Sequence, residues 1–185
     1  MQPSVLLFSS DLDGWRMAGS GWCTPLPNGI VESHCGPGIL WYAGRSFGDF
    51  MLRVEWKLNN LMDNSGIFLR CPPLDADPAP AVENGYEIQI DDRGFDPKTK
   101  SFGSLLHLTG AIYGLAPAEC RCSGVIGAWN LFEVQARGPS ISVSLNGQSV
   151  SHLTNATRRR EGHIGLQCHH AGSTVQFRNL EISPL

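Results

Sequence analysis

The segment FMLRVEWK, residues 50–57, places an apolar side chain at every second position. The apolar set is Phe50, Leu52, Val54 and Trp56. Successive side chains of a β-strand point to opposite faces of a sheet, so this period of two predicts a strand with one buried face. Arg53, Glu55 and Lys57 are then expected on the opposite face.

The same alternation recurs in short runs bounded by Gly, Asn, Asp and Pro, whereas helical periodicity is nearly absent. The predicted strands are residues 38–42, 50–58, 66–70, 86–91, 131–137, 140–145, 163–168 and 175–182. Asn146-Gly147 predicts a type I′ hairpin with residues 148–150 as its return arm. These features predict a single all-β domain over residues 1–185, built as a two-sheet jelly-roll sandwich.

Two long segments lack strand patterning. Residues 71–84 are rich in proline and acidic residues, so we expect a surface loop there rather than a central strand. Residues 92–122 form a second long connection, which contains Tyr113 and is expected to cover one end of the sheet. Long loops in a compact domain usually serve function.

The composition excludes several classes of protein. Hydrophobic residues make up 42% of the 185 residues and charged residues 17%, which is typical of a compact fold and not of a disordered chain. The net charge of −3 and the single basic run at residues 158–160 disfavour nucleic acid as a partner. No run approaches the ~20 apolar residues of a membrane span. The chain as written is expected to be cytoplasmic, or secreted or periplasmic if a leader is removed, and its oligomeric state is left open.

Six cysteines are present, but none of their spacings matches a zinc site. Cys120 and Cys122 are too close in sequence for an ordinary structural disulfide. Cys168 falls on the apolar phase of its strand and is expected in the core. The cysteines are therefore predicted to be mostly free thiols.

The polar phase of the strands has an unusual composition. In residues 86–91 it consists of Glu87, Gln89 and Asp91, and in residues 163–169 it includes Gln167 and the two histidines at the ends. Planar hydrogen-bonding groups of this kind match paired sugar hydroxyls, and aromatic rings offer stacking surfaces. The candidate rings are Trp41, Tyr42, Tyr113 and Trp129. The pattern therefore predicts a carbohydrate or glycoside ligand on a concave polar sheet face.

Ten segments distributed along the chain resemble one known family, the 3-keto-disaccharide hydrolase domain. They are LDGW 12–15, FGDF 47–50, VEW 54–56, NSGIFLR 64–70, GYEIQID 85–91, GAIY 110–113, WN 129–130, LNG 145–147, GHIGLQ 162–167 and FRN 177–179. The resemblance implies a jelly roll of the concanavalin A-like lectin and glucanase type. Departures lie in residues 95–108 and at the two cysteines 120 and 122, which are the parts expected to set the substrate.

The resemblance also implies an enzyme that cleaves glycosides already oxidised to a ketone at C3. Such a ketone acidifies the C2 hydrogen, so a base can remove it while the anomeric substituent leaves, after which water adds. An ordinary glycosidase instead needs two carboxyl groups, ~5–5.5 Å or ~6.5–9.5 Å apart. The residues leave elimination with hydration and direct hydrolysis at the anomeric carbon both open.

Site residues are predicted from the outward phase and the family-like motifs. Glu87 is the leading catalytic carboxylate with Glu55 as its partner, and His163 is an alternative base. The predicted substrate-binding residues are Asn64, Arg70, Gln89, Tyr113, Gln167 and Trp41. No metal site or cofactor is assigned, although a divalent ion on the ketone could draw on Asp91, Asp92, His163, His169 and His170.

Two other functions fit the same fold. A non-catalytic carbohydrate-binding module predicts an open groove with Trp41 or Trp129 exposed, whereas an enzyme predicts that Glu55, Glu87 and Arg70 converge in a pocket. A laminin-G-like interaction domain predicts an exposed apolar patch and no convergent carboxylates.

Overall fold

The computed structural model describes residues 4–8 and 12–185, which form two antiparallel sheets packed face to face. The strands are β1 Val5–Leu6, β2 Trp15–Gly19, β3 Trp22–Leu26, β4 Ile30–His34, β5 Gly38–Tyr42, β6 Phe50–Leu58, β7 Ser65–Cys71, β8 Tyr86–Ile90, β9 Asn130–Arg137, β10 Ser140–Leu145, β11 Gln148–Leu153, β12 His163–Cys168 and β13 Thr174–Pro184. This is the predicted jelly-roll sandwich.

The eight-stranded sheet has the order β11-β10-β9-β6-β13-β4-β3, with β1 paired to β13. The five-stranded sheet has the order β2-β5-β12-β7-β8. Strands adjacent in space are often distant in sequence, because the chain crosses repeatedly between the sheets. Residues that face a common surface therefore come from separate parts of the sequence.

The core between the sheets follows the predicted apolar phase. Phe50, Leu52, Val54 and Trp56 of β6 are fully buried there. They pack opposite the alternate residues Tyr86, Ile88 and Ile90 of β8. All eight predicted strands are present, and each of their ends lies within two residues of the predicted end.

The hairpin at Asn146-Gly147 is also confirmed, since both residues have positive φ and β10 pairs with β11 across them. Besides the two-residue β1, three strands are absent from the predicted set, namely β2, β3 and β4. Each has five residues, and β3 contains Pro25 at the open edge of the eight-stranded sheet, where a missing N–H is tolerated.

The segment 71–84 differs from the predicted surface loop. It contains a short helix, α1 Ala79–Asn84, and it packs onto the outer face of the five-stranded sheet. Leu74 and Ala81 bury Phe68 and Trp41 beneath the segment. Half of that outer face is therefore a second small core rather than an open surface. None of the described residues forms a helix long and apolar enough to cross a membrane.

The cysteine prediction is wrong in one respect. Cys120 and Cys122 form a disulfide within the long connection, because an extended tripeptide lets the two side chains lie on the same side of the backbone. The other four cysteines are free, and Cys168 is buried as predicted.

Candidate functional site

The polar phases of β6 and β8 lie on opposite sides of the sandwich, since one strand belongs to each sheet. Glu55 and Glu87 therefore do not converge, and the predicted pairing of these two carboxylates is wrong. The period of two assigns each side chain to the inner or outer face of its own sheet, but it does not say which sheet. The two carboxylates have different surroundings and are described separately.

Glu55 is fully engaged by neighbouring side chains. Its carboxylate accepts hydrogen bonds from Arg178 at 2.8 and 2.5 Å and from Asn179 at 2.7 Å. Partial desolvation opposes ionisation, but these hydrogen bonds and the charge of Arg178 together lower the pKa of Glu55. The guanidinium of Arg178 also lies 4.0 Å over the ring of Trp129. Glu55 therefore belongs to a surface ion-pair cluster in which its charged carboxylate is hydrogen-bonded to Arg178 and Asn179.

Glu87 lies in the middle of β8 on the outer face of the five-stranded sheet and is buried. Gly66 of β7 makes room for its carboxyl group. A Cβ at position 66 would approach within 2.7 Å of the Glu87 Cγ and 2.8 Å of its Cδ, so any side chain there would displace the acid. The NSGIFLR motif therefore contributes an empty position beneath the carboxyl group.

A cavity of about 110 Å³ opens beside this carboxyl group. Its lining residues come from α1, β8, the long connection and β12, and they are Val82, Glu87, Gln89, Tyr113, Gln167 and His169. A neighbouring cavity of about 340 Å³ shares Val82, Gln167 and His169 with it. The two cavities together form a groove along β12 with Glu87 at one end.

Three side-chain oxygens around the smaller cavity are buried without a hydrogen-bond partner among the described residues. They are Oε1 of Glu87, Oε1 of Gln89 and Oε1 of Gln167. A buried polar atom without a partner costs roughly 1–3 kcal/mol, so three of them around one cavity mark a place where a polar ligand would supply the missing hydrogen bonds.

Burial raises the pKa of Glu87 to about 8, with a side-chain hydrogen bond from Gln167 acting in the opposite direction. Burial, followed by the nearby Glu87, also raises the pKa of Tyr113. The backbone N–H of Tyr113 donates to the carbonyl of Glu87 at 2.9 Å, which holds the long connection against β8. At neutral pH the site therefore contains a mostly protonated acid and a phenol.

Trp41 does not provide a stacking surface. It is 4% exposed, because the segment 71–84 covers it. His163 packs edge-on against this indole at 4.9 Å, and its Nδ1 lies 2.9 Å from the carbonyl oxygen of Tyr42. Neither residue lines the cavity beside Glu87. The structure therefore does not bring Trp41, predicted to bind substrate, or His163, predicted as an alternative base, to the cavity of Glu87.

Arg70 also lies away from the cavity. Its φ is +52° and the pairing of β7 with β12 shifts register here, so a β-bulge removes it from the outward phase. The fully buried guanidinium donates to the carbonyls of Gly48 and Gly138 at 2.9 and 2.8 Å and to Asp49 at 3.0 Å. Gly48 and Asp49 directly precede β6, and Gly138 lies in the turn between β9 and β10, so Arg70 joins its own sheet to connections of the other sheet.

Asn64 lies on the correct face, one alternate position beyond Gly66. Its amide donates to Asp91 at 3.2 Å, and its Oδ1 is buried without a partner among the described residues. Asp91 in turn accepts from the guanidinium of Arg93 at 3.0 Å. This network borders the end of the outer face but does not line the cavity of Glu87.

Val82 and His169 are the two lining residues that the predicted site omitted. His169 follows β12 and continues the outward phase of Gln167, so the alternation already placed it on this face. The only role predicted for His169 was that of a possible metal ligand. Among the described residues, no group of three or more His, Cys, Asp or Glu side chains is arranged to hold a metal ion.

Solved structures with the same fold include two proteins from Parabacteroides distasonis that are provisionally described as glycosyl hydrolases. One is 21% identical with a TM-score of 0.80 and covers 98% of this chain and 94% of its own. The other is 23% identical with a TM-score of 0.79 and covers 100% of both chains. The carbohydrate-binding module CBM66 from Bacillus subtilis is 16% identical, with a TM-score of 0.65 over 95% of this chain and 99% of its own.

These likenesses establish the fold. No curated protein matches the chain. A family model described as the 3-keto-alpha-glucoside-1,2-lyase-like domain matches residues 3–183, which includes both sheets except for the last residue of β13.

Proposed function

We propose that this chain, which belongs to the 3-keto-alpha-glucoside-1,2-lyase-like domain family, cleaves 3-keto-glycosides by elimination, with Glu87 as the base. The observation that carries the proposal is the buried Glu87 carboxyl group, which has one oxygen without a partner and faces a polar cavity. The substrate's glycosyl unit would occupy this cavity and extend into the neighbouring one along β12.

The raised pKa of Glu87 suits proton abstraction. A carboxylate whose conjugate acid has a pKa of about 8 is a stronger base than an ordinary glutamate, and the best catalytic pKa lies near the working pH. Removal of the hydrogen at C2 requires such a base, because even a neighbouring ketone leaves that carbon only weakly acidic. Desolvation of Glu87 therefore supplies the property that the reaction needs.

The absence of a second carboxyl group in the lining supports elimination over the two-carboxylate mechanism. Among the described residues, Glu87 is the one carboxyl group lining the cavity. Asp91 is the next acid on the same face of the strand, but four residues at ~3.3 Å each separate it by roughly 13 Å. Its oxygens are also engaged by Asn64 and Arg93. This backbone separation is longer than either carboxyl spacing used by glycosidases of that kind.

The steps follow from these roles. The Glu87 carboxylate takes the proton from C2, the C–H electron pair forms a C1=C2 double bond conjugated with the C3 ketone, and the C1–O bond breaks with its electrons on the leaving oxygen. The proton on Glu87 can then pass to that oxygen, and water adds at C1 to give the free 3-keto sugar. The Tyr113 phenol and the amides of Gln89 and Gln167 can donate hydrogen bonds to the ketone or hydroxyl oxygens.

The test compares 3-keto-glucosides with their unoxidised parents and follows aglycone release. We expect release from the keto substrates alone. Early product formed in D₂O should carry deuterium at C2, above the level that exchanges into the same product without enzyme. Cleavage of the parent glycoside alone would contradict the proposal, and saturable binding of sugars without any cleavage would favour the binding-module function instead.

A further inference from the structure

Two free cysteines from different sheets lie side by side at one end of the sandwich. Cys23 is in β3, the edge strand of the eight-stranded sheet, and Cys168 is the last residue of β12 in the five-stranded sheet. Their Sγ atoms are 3.6 Å apart, although 145 residues separate them in sequence. A disulfide bond length is ~2.05 Å, so the sulfurs need to approach by roughly 1.5 Å.

The surrounding backbone holds this pair together. Gly21 packs directly against Cys168, and a Cβ at position 21 would lie 3.2 Å from the Cys168 sulfur. The Cys168 sulfur also lies 3.4 Å from the carbonyl oxygen of Trp22. The two residues that precede Cys23 therefore both contact Cys168, which holds the two thiols close together.

From this geometry we propose that Cys23 and Cys168 are an oxidation site, at which a hydroperoxide converts the two thiols into a disulfide that links the sheets. The site does not depend on the proposed glycoside cleavage. It does bear on that region of the molecule, because Cys168 lies in the chain between Gln167 and His169, which line both cavities of the groove.

The chemistry balances with hydrogen peroxide as the oxidant. The Cys168 thiolate attacks one peroxide oxygen, the O–O bond breaks, and the departing hydroxide takes up the thiol's proton as water. The resulting sulfenic acid is then attacked by the Cys23 sulfur, which forms the S–S bond and releases a second water. Two thiols and one peroxide thus give one disulfide and two waters.

Cys168 is suited to the first attack. A hydrogen bond from Cys23 lowers the pKa of the Cys168 thiol, whereas the same interaction and burial raise the pKa of Cys23. Cys168 is only 1% exposed, whereas its partner Cys23 is half-buried, so the pair is reached from the side of Cys23. A peroxide molecule is close to water in size and can reach such a site, whereas a bulky disulfide reagent is expected to react slowly.

The experiment treats the full chain with hydrogen peroxide and measures thiol content, mass and peptide linkage. We expect the free thiols to fall from four to two, the mass to fall by two hydrogens, and a non-reducing peptide map to show Cys23 joined to Cys168. Dithiothreitol should reverse all three changes. The midpoint of thermal unfolding should rise by about 5–15 °C on oxidation, since the cross-link closes a long loop.

The controls come from the same chain. Cys71→Ser removes another buried thiol, one that is hydrogen-bonded to the carbonyl of His163, and should leave the cross-link unchanged. Cys23→Ser should abolish both the linkage and the thermal shift. The peptide map of the wild-type chain is decisive even if a variant fails to fold. Pairing of either cysteine with Cys35, or overoxidation of Cys168 while Cys23 remains a thiol, would overturn the proposal.

Discussion

The outer faces of the two sheets each carry a glutamate in the middle of a strand, and the two glutamates have opposite properties. Glu55 faces an arginine and an asparagine that satisfy its oxygens, and its pKa is lowered. Glu87 is buried over a glycine with one oxygen unpaired, and its pKa is raised to about 8. Two glutamates with the same place in the strand pattern thus have opposite pKa shifts, because one has a charged partner and the other is desolvated without one.

The largest expected difference between the two faces is in activity. Glu87→Gln removes the proposed base and should lower kcat/KM on a 3-keto-glucoside by roughly 10²–10⁴-fold. Glu55→Gln should change it less than about twofold, since Glu55 lies on the other sheet. Steady-state aglycone release from both variants measures this contrast. Equal losses in the two variants would mean that the faces are not functionally distinct.

The glycine beneath Glu87 should matter almost as much. Gly66→Ala puts a methyl group where the carboxyl group lies, and a displacement of about 1 Å in a reacting group can cost roughly 10²-fold in rate. Gly48→Ala is the matched control, because a Cβ there would meet no atom closer than 4.0 Å. The test measures kcat/KM of both variants after circular dichroism has shown that each variant is folded. Full activity in Gly66→Ala would show that the carboxyl position is not critical.

The pH dependence should follow Glu87 and not Glu55. Because the ionised carboxylate acts as the base, kcat/KM should rise about tenfold per pH unit below the pKa and level off above about 8. Glu55→Gln should leave this profile in place. Initial rates from pH 5.5 to 9.5 provide the measurement. A profile that falls through pH 8 would instead assign Glu87 as a general acid.

A further expected effect is on stability, with opposite signs on the two faces. The pKa of Glu87 is above its ordinary value of 4.5, so Glu87 favours the folded state most at low pH, and this advantage is lost as the pH rises from about 4.5 to about 8. Glu87→Gln should therefore match the stability of the wild type near pH 4 and exceed it by roughly 4 kcal/mol at pH 8. Denaturant unfolding at several pH values measures the difference.

Glu55→Gln should instead lower the stability of the fold at pH 8. Its lowered pKa means that it stabilises the fold above its unfolded-state pKa and that this contribution is lost as the pH falls. The pair is partly solvated, so the loss at pH 8 should be below about 1 kcal/mol. A stabilised Glu55→Gln at pH 8 would contradict the pairing seen with Arg178 and Asn179.

Much of the fold could be predicted from local pattern. Alternation identified eight strands and their buried phases, and Asn146-Gly147 identified the hairpin, because both signals depend on neighbours along the chain. The strands β2 to β4 were missed, since their sequences do not alternate regularly between apolar and polar residues and β3 also contains Pro25. The covering role of residues 71–84 was missed because burial by a loop depends on packing and has no period.

Part of the candidate site could also be predicted from the alternation of side chains along each strand. Glu87, Gln89 and Gln167 line the cavity as the outward phase indicated, and Tyr113 joins them from the long connection. Glu55 was misplaced because alternation cannot say which sheet a strand joins. Arg70 was misplaced because a bulge reverses the phase within its own strand. His169 had the outward phase, but many exposed polar residues have the same phase, so the alternation did not distinguish His169 as a site residue.

The sequence by itself determined that this protein is a β-sandwich, which side of each strand is buried, and which family it resembles. Each of these properties is carried by residue types at short, regular spacings. Only the tertiary structure decided which polar residues share a surface, since strand order is set by packing between distant segments. It also decided that Glu87 is the unusual acid, because its pKa depends on the burial and the missing partner that those distant segments create.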